Sequence, residues 1–158
     1  MVEVGTEAPD FTAPLANGDV EQFILSERLD EAPIVLAFFP GAFTKTCRHE
    51  MSVFQERLAA FDGIGATVYG VSVDSPFALN EFREKLGLDF DLVSDANDEL
   101  IDAYDVSMDF ASIGVEDVAK RAVFVIDGDG VVTYKWVSDD PGVEPDYDEI
   151  EDAARAAA

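Results

Sequence analysis

The chain has 158 residues, of which 34 are acidic and ten are basic, so its formal net charge is -24. So much negative charge repels phosphate backbones and anionic lipid surfaces, which argues against a protein that binds nucleic acid or a membrane. Apolar residues make up 48% of the chain, and its length fits one domain over residues 1–158 with a substantial core.

The acidic composition favours a surface adapted to concentrated salt. Only four of the basic residues are lysines. Screening over a few ångströms at high salt would remove the self-repulsion that so many carboxylates create. The alternative is an ordinary acidic cytosolic protein, and the charge alone favours the salt-adapted interpretation.

The chain contains one cysteine and one histidine. These counts exclude an internal disulfide and a structural zinc site built from Cys and His. Separately, we expect no cofactor. The first residues lack the basic start and apolar core of a signal peptide. No apolar run approaches the roughly 18 residues of a membrane-spanning helix. We therefore expect a cytoplasmic protein.

The first elements are an amino-terminal hairpin, a short helix and a buried strand. Residues 11–15 and 20–23 flank Asn17-Gly18, a dipeptide typical of a type I′ turn. A short helix is predicted over 26–30. The uninterrupted apolar run 34–39 is typical of a central strand that is buried on both faces.

A helix is predicted after Gly41, followed by a second strand at 67–73. Gly63 and Gly65 end the helix, and the strand is apolar and β-branched. Strand, helix and strand make a βαβ unit, for which a right-handed crossover is expected. The helix is indicated by apolar residues at spacings of four, three, four and three, namely Cys47, Met51, Phe54, Leu58 and Phe61.

The middle of the chain alternates helices and strands before a less regular stretch. Asp74-Ser75-Pro76 is typical of a helix start, and the helix runs to about Leu86. A short strand is predicted at 91–94 and a short helix at 95–104. The stretch 106–119 is predicted to be mostly loop, with three apolar side chains that need burial: Met108, Phe110 and Ile113.

A second hairpin and a final helix complete the chain. Two apolar runs, 122–126 and 131–136, flank the turn formed by residues 127–130. The acidic segment 143–152 leads into an alanine-rich helix end. The order of the elements predicts an α/β fold with a mixed sheet, in which a parallel βαβ unit is joined to an antiparallel hairpin.

Cys47 is the candidate for chemistry. A thiol becomes a good nucleophile as a thiolate, which a helix amino terminus and nearby cations favour. Cys47 falls in the first turn of the predicted helix, and Lys45 and Arg48 bracket it in an otherwise acidic chain. The alternative is a small buried apolar residue near a helix start. The local reversal of charge favours a reactive thiol.

Three other residues of this stretch are candidates for the same site. As the N-cap, Thr44 would accept the backbone N–H of Cys47 and bring its hydroxyl near the sulfur, although plain capping explains it equally. Pro40 would form a rigid wall beside the cysteine, or it would simply end the preceding strand. Glu50 lies on the same helical flank as the cysteine, so it would oppose a thiolate unless a cation intervened.

Arg121, at the start of the 122–126 strand, could supply that cation, although a solvated charge at a strand end remains the alternative. His49 is two residues from Cys47, so a regular helix points the two side chains apart. We expect His49 to be a surface or interface residue rather than half of a Cys-His catalytic pair.

These residues resemble the peroxiredoxins, or thiol peroxidases. Residues 40–47 match that family's Pro-x-x-x-Thr/Ser-x-x-Cys motif at every defined position, after a Phe-Phe strand end. Three further segments resemble family landmarks in the same order: 5–11, 70–75 and 121–127. The resemblance implies a thioredoxin-like fold, with mixed central sheet and flanking helices, and a peroxidatic cysteine beneath a proline.

The resemblance also implies a role for each site residue. Cys47 would attack hydrogen peroxide or an organic hydroperoxide and become a sulfenic acid. Thr44 would hydrogen-bond the peroxide, and Arg121 would hold the thiolate and stabilise the developing charge. Pro40 would exclude water, and Glu50 would orient the arginine. No metal is implied.

The chain departs from the commonest family pattern because it lacks a resolving cysteine. It is similar to one-Cys members of the alkyl hydroperoxide reductase E type, which need an external thiol, either a small molecule or a thioredoxin-like or glutaredoxin-like protein. A homodimer or larger homo-oligomer is implied, and residues 106–119 could supply contacts. A thioredoxin-type reductase would need Cys-x-x-Cys, where this chain has Thr44. A non-catalytic redox-sensing or partner-binding module is the remaining alternative.

Overall fold

The structure, a computed structural model, describes residues 2–158. It contains nine strands: β1 (Thr12–Ala16), β2 (Val20–Ile24), β3 (Ile34–Phe38), β4 (Thr67–Ser72), β5 (Asp91–Ser94), β6 (Ser107–Phe110), β7 (Val115–Ala119), β8 (Arg121–Ile126) and β9 (Val132–Ser138). Its five α-helices are α1 (Lys45–Glu56), α2 (Leu58–Ile64), α3 (Pro76–Leu86), α4 (Glu99–Ala103) and α5 (Tyr147–Ala157). None of the helices in this part of the chain is long and apolar enough to cross a membrane.

Seven strands form one mixed sheet in the order β2-β1-β5-β4-β3-β8-β9. Strands β3, β4 and β5 are parallel, whereas β8 pairs antiparallel with β3 and with β9. Strand β1 joins the other side, antiparallel to β2 and β5. The predicted mixed α/β architecture is confirmed, and β3 lies between β4 and β8.

Alternate side chains of β3 enter two separate cores because successive side chains of a strand point to opposite faces. Leu36 and Phe38 pack on one face with residues of α4 and the amino-terminal hairpin. Val35 and Ala37 pack on the other face with residues of α1, α2, α3 and α5. All of β3 is buried, as the apolar run predicts.

Helix α1 lies close to the sheet at Gly70 of β4. A Cβ atom at this position would lie 2.7 Å from Cδ2 of Leu92 and 3.1 Å from Sδ of Met51. The absence of a side chain at Gly70 therefore lets Met51, one turn beyond Cys47, pack directly against the strand. This contact fixes the height of α1 above the sheet.

Two predictions about the first elements need correction. The amino-terminal hairpin forms, but its loop has three residues, 17–19, because Ala16 pairs with Val20. Only Gly18 has a positive φ, of 99°, whereas a type I′ turn needs positive φ at both central residues. The helix predicted at 26–30 is instead two short turns of 3₁₀ helix, Leu25–Glu27 and Leu29–Glu31.

The long helix predicted after Gly41 is broken into α1 and α2 at Arg57. The break lies between Phe54 and Phe61, which both stay buried, so the apolar period runs through it unchanged. The Arg57 side chain binds Asp148 and Glu151 of α5 at 2.7 and 3.0 Å. The pattern of apolar residues could not predict this tertiary contact at the break.

The stretch 106–119 is a β-hairpin and was wrongly predicted to be mostly loop. Strands β6 and β7 pair antiparallel around a bulge, and Gly114 turns the chain with φ 73°. Polar residues interrupt both strands, so the sequence does not show the regular alternation of apolar and polar residues that is typical of a strand. Its apolar side chains are not buried as predicted, since Met108 and Phe110 are partly exposed and Ile113 is 62% exposed.

The short helix predicted at 95–104 begins later, at Glu99. Asp95 is buried, and its carboxylate accepts the backbone N–H groups of Leu100 and Ile101, both at 2.9 Å. This side chain serves the unpaired donors of the first helical turn from four residues upstream. Residues 95–98 therefore form a turn rather than helix.

Candidate active site

Cys47 lies in the first turn of α1, directly after the central strand. Thr44 is the N-cap, with extended backbone at φ -77° and ψ 152°, and its Oγ1 accepts the backbone N–H of Cys47 at 3.4 Å. The helical period turns Cys47 towards the sheet together with Met51 and Phe54, leaving the cysteine 1% exposed. The predicted capping and burial therefore occur together.

The loop before α1 is held to the end of β4. The backbone N–H of Ala42 donates to Oδ2 of Asp74 at 2.7 Å, and the hydroxyl of Thr44 donates to the carbonyl of Gly41 at 3.2 Å. Phe43 has φ 68°, a left-handed conformation that is costly for a bulky residue. Side-chain and backbone contacts thus stabilise a loop that its own preferences disfavour.

Arg121 reaches Cys47 from the adjacent strand. The β3–β8 register pairs Phe38 with Ala122, which places Arg121 beside the end of β3. Its Nη2 lies 3.3 Å from Sγ of Cys47, and the side chain is 1% exposed. Its Nε and Nη2 also donate to the carbonyl of Pro141, at 3.1 and 2.8 Å. The guanidinium is therefore held in one orientation.

Glu50 completes a buried group of charges. Its Oε1 lies 3.3 Å from Nη1 of Arg121, and Glu50 is fully buried. Burial raises the pKa of Glu50 to about 8, against the opposing attraction of Arg121. The raised pKa favours the protonated form of Glu50, in which less of the Arg121 charge is offset by the carboxyl group.

Arg121 keeps its charge in this buried setting. Burial by itself lowers the pKa of a guanidinium, but the nearby acidic groups of Glu50 and Cys47 more than offset burial and hold the pKa of Arg121 above its ordinary value. A fixed cation beside a thiol stabilises the thiolate form.

A second polar cluster next to Glu50 was missed by the sequence analysis. Oε1 of Glu144 lies 2.6 Å from Nδ1 of His49 and accepts the hydroxyl of Tyr147 at 2.6 Å. Partial burial opposes ionisation, but these two contacts hold the pKa of Glu144 below its ordinary value. His49 is exposed and lies outside the buried group, as the helical spacing predicts.

A surface depression of about 150 Å³ opens beside this group of side chains. Eight residues line it: Pro40, Thr44, Lys45, Thr46, Phe110, Arg121, Pro141 and Gly142. Pro40 is buried and forms part of its wall. A small molecule placed here would lie beside Thr44 and Arg121.

A larger groove of about 450 Å³ lies elsewhere, between α1, α2 and the strands β4 and β5. Four carboxylates line it: Glu56, Asp62, Asp89 and Asp91. It contains neither a thiol nor a cation. Its size therefore does not make it the better candidate for the reaction.

The structure brings all five sequence-predicted site residues together: Cys47, Thr44, Arg121, Pro40 and Glu50. The missed contributors are the Pro141 carbonyl, Asp74 and Glu144. A backbone carbonyl leaves no signal in a sequence. Asp74 was identified only as part of a helix start, and Glu144 belonged to an acidic segment with no distinguishing mark.

Comparisons with known proteins identify the family of the chain. The AhpC/TSA family model matches residues 4–135. The chain is 35% identical over 145 residues to a chloroplastic 2-cysteine peroxiredoxin of Chattonella marina var. antiqua, covering 87% of this chain and 71% of the relative. It is 31% identical over 136 residues to the putative peroxiredoxin bcp of Coxiella burnetii, covering 85% and 88%.

A solved structure confirms the predicted thioredoxin-like fold. The peroxidoxin BcpB of Mycobacterium tuberculosis superposes with a TM-score of 0.84 at 28% identity, over 100% of this chain and 99% of that one. The family model, the relatives and the superposed structure agree with one another on the family. The chain therefore belongs to the AhpC/TSA family and is a peroxiredoxin, a thiol-dependent peroxidase.

Proposed function

We propose that this protein is a one-Cys peroxiredoxin, similar to the alkyl hydroperoxide reductase E type, which reduces hydrogen peroxide and organic hydroperoxides through Cys47. The observation that carries the proposal is the 3.3 Å contact between Nη2 of Arg121 and Sγ of the only cysteine in these 158 residues. This contact joins the nucleophile to a cation in a nearly dry setting.

In the first half of the cycle the Cys47 thiolate attacks one oxygen of the peroxide. A sulfur–oxygen bond forms as the oxygen–oxygen bond breaks, and the leaving oxygen takes a proton to depart as water or an alcohol. The sulfur is oxidised to a sulfenic acid and the peroxide is reduced. Negative charge moves from the sulfur to the leaving oxygen during this step.

The neighbouring side chains serve this charge movement. The Arg121 guanidinium stabilises the thiolate and the oxygen on which charge develops. The Thr44 hydroxyl, now donating to the Gly41 carbonyl, can turn to donate to the peroxide. Pro40 shields the sulfur from water, and Glu50 positions Arg121 through their 3.3 Å contact.

The second half of the cycle needs an external thiol. These 158 residues hold no second cysteine, and Cys47 is 1% exposed, which disfavours direct joining of two Cys47 residues from different subunits. An external thiol would form a mixed disulfide with Cys47 and release water. A second thiol would then restore the Cys47 thiol.

The test is peroxide consumption in the presence of dithiothreitol, with hydrogen peroxide and an alkyl hydroperoxide as separate substrates. Wild type is expected to consume many peroxides per subunit, whereas Cys47→Ser is expected to consume none above background. A redox sensor would consume about one equivalent. Full thiol-dependent activity in Cys47→Ser would overturn the proposal.

A homodimer or larger homo-oligomer is part of this proposal. The β6–β7 hairpin exposes Ile113 by 62% and Val115 by 41%, which supports it as a contact surface. Ile113→Asp should lower the sedimentation coefficient if the hairpin lies in the interface.

We also propose a cytoplasmic location, since a catalytic thiol reduced by external thiols suits a reducing compartment. Cell fractionation tests this location.

A further inference from the structure

We propose that Lys45 and Arg48 select the external reductant, and that this reductant is a small thiol carrying carboxylate groups. The inference rests on the proposed one-Cys cycle and deepens it. It starts from the uneven distribution of positive charge in a protein with a formal net charge of -24.

Most of the cations are neutralised by carboxylates. Eight of the ten lysines and arginines form an ion pair with an aspartate or glutamate. Within residues 2–158, only Lys45 and Arg48 have no such partner. Both are exposed. The two cations without an ion-pair partner therefore lie three residues apart in sequence at the start of α1, one before and one after Cys47.

The position of these cations is unfavourable for the helix itself. The first turn of α1 contains no acidic residue, although negative charge is the favourable kind at a helix amino terminus. Lys45 lines the depression beside Arg121, and the Arg48 guanidinium lies over the Phe43 ring at 5.7 Å. Helix stability does not explain two cations here, whereas stabilising the Cys47 thiolate and attracting an incoming anion both do.

The anion that the cycle requires is the reductant. Hydrogen peroxide is neutral and gains little from two cations. The species that attacks a sulfenic acid is a thiolate, which nearby cations stabilise. The remaining surface repels anions, so a carboxylate-bearing thiol would approach most easily at Lys45 and Arg48.

The dimensions of the site favour a small thiol over a protein thiol. Cys47 is 1% exposed, and the depression beside it has a volume of about 150 Å³, enough for only a few non-hydrogen atoms. A carboxylate could rest against Lys45 at the depression, with Arg48 one turn further along α1, while the short sulfur-bearing end enters the depression. A folded reductant would have to bring its cysteine into the same small depression.

The reaction balances without any further reactant. The thiolate sulfur bonds to Sγ of the Cys47 sulfenic acid, the sulfur–oxygen bond breaks, and the oxygen takes a proton to leave as water. A second thiolate attacks the mixed disulfide, which releases the small disulfide and restores the Cys47 thiolate. The two thiols are oxidised and Cys47 is reduced.

The test measures reduction of the sulfenic acid separately from its formation. One equivalent of hydrogen peroxide oxidises the protein, and stopped-flow mixing then supplies either 3-mercaptopropionate, which is anionic, or 2-mercaptoethanol, which is neutral. The measured quantity is the ratio of the two rate constants. Comparing this ratio among variants cancels differences in thiol reactivity and any change in the Cys47 environment that affects both thiols.

The double variant Lys45→Gln/Arg48→Gln is expected to lower the anionic-to-neutral ratio about four- to ninefold, since each unit charge about 7 to 8 Å away in water contributes a factor of about two to three. Raising the salt concentration should lower the wild-type ratio towards that of the variant. Arg155→Gln is the matched control, because Arg155 is an exposed cation paired with Asp152 on α5; its ratio should equal that of wild type.

Three results would overturn the inference. The ratio could be unchanged in the double variant, or a small protein dithiol could reduce the wild-type sulfenic acid faster than 3-mercaptopropionate at equal concentration. The double variant could also slow oxidation by a carboxylated hydroperoxide relative to tert-butyl hydroperoxide while leaving the thiol ratio intact. Failure of the one-Cys function itself looks different: no sulfenic acid would be trapped by dimedone, or no thiol would reduce it.

Discussion

The buried charges beside Cys47 and the charges on the surface differ in their surroundings. Arg121 and Glu50 are 1% and 0% exposed and act over contacts of 3.3 Å. Most of the other acidic groups face water, where dissolved salt screens them. Under the proposed mechanism a single buried cation acts on the sulfur at short range, whereas the surface carboxylates act through their number.

Replacing the buried cation is expected to have the largest effect. Arg121→Lys keeps the charge but cannot contact Cys47, Glu50 and the Pro141 carbonyl together, because a lysine lacks the planar fork of donors. The rate constant for peroxide oxidation of Cys47 should fall about 10²- to 10³-fold, as when one oxyanion donor is removed. Stopped-flow mixing with hydrogen peroxide measures it.

Arg155→Lys is the control on the exposed side of the comparison and should leave this rate constant unchanged. Circular dichroism distinguishes lost chemistry from lost folding. A rate constant for Arg121→Lys within twofold of wild type would show that the orientation of the guanidinium is unimportant.

The Thr44 hydroxyl should matter less, since it contributes one neutral hydrogen bond. Thr44→Val keeps the shape and removes both the proposed peroxide donor and the N-cap acceptor. The oxidation rate constant is expected to fall about tenfold, the equivalent of a hydrogen bond of roughly 1.4 kcal/mol. Thr44→Ser keeps the hydroxyl and should stay near wild type; if it lost as much as Thr44→Val, the methyl group would be the important part.

Glu50 provides a test of pH dependence. Burial raises its pKa to about 8, so above that pH the ionised carboxylate competes with the Cys47 thiolate for Arg121. The oxidation rate constant should therefore decline above about pH 8 in wild type, and Glu50→Gln should remove the decline. Glu56→Gln, an exposed change on the same helix, should keep it.

The raised pKa of Glu50 also determines how the free energy of unfolding changes with pH. The folded state holds a proton on Glu50 that the unfolded chain releases at lower pH, so this contribution is fully present below the unfolded pKa and is lost as pH rises through about 8. The free energy of unfolding, measured by urea titration, should depend less on pH in Glu50→Gln. A steeper dependence would contradict the assignment.

Raising the salt concentration should have the smallest effect, and it should act on the surface charges rather than on the buried ones. Screening relieves repulsion among surface carboxylates, so the melting temperature should rise by several degrees between about 0.1 and 3 M KCl. The oxidation rate constant with neutral hydrogen peroxide should change little, because the Arg121–Cys47 contact is buried. A melting temperature that falls as salt increases would refute the salt-adapted surface.

Much of the candidate site could be predicted because its signals are local. Thr44 and Cys47 lie three residues apart, so the N-cap rule and the helical period relate them directly. Arg121 was weighed only as a possible cation, since nothing in its own segment indicates that β8 pairs with β3. The Pro141 carbonyl, which fixes the guanidinium, could not be predicted from side-chain identities at all.

Elements with a clean apolar period were predicted well, and those shaped by tertiary contacts were not. The apolar helical period continues through the break at Arg57, whose side chain binds α5. In the β6–β7 hairpin, polar residues interrupt the alternation of apolar and polar positions that would indicate a strand. Both errors have one cause: a pattern reports which residues can be buried, but not which distant segment they meet.

By itself the sequence determined the acidic surface, the buried central strand and a lone cysteine in the first turn of a capped helix, because composition, periodicity and capping act within a few residues. Only the tertiary structure decided that Arg121 and Glu50 lie together beside that cysteine, and that Lys45 and Arg48 stay without carboxylate partners in residues 2–158. Charge interactions depend on distance and burial, which are fixed only when strands and helices pack.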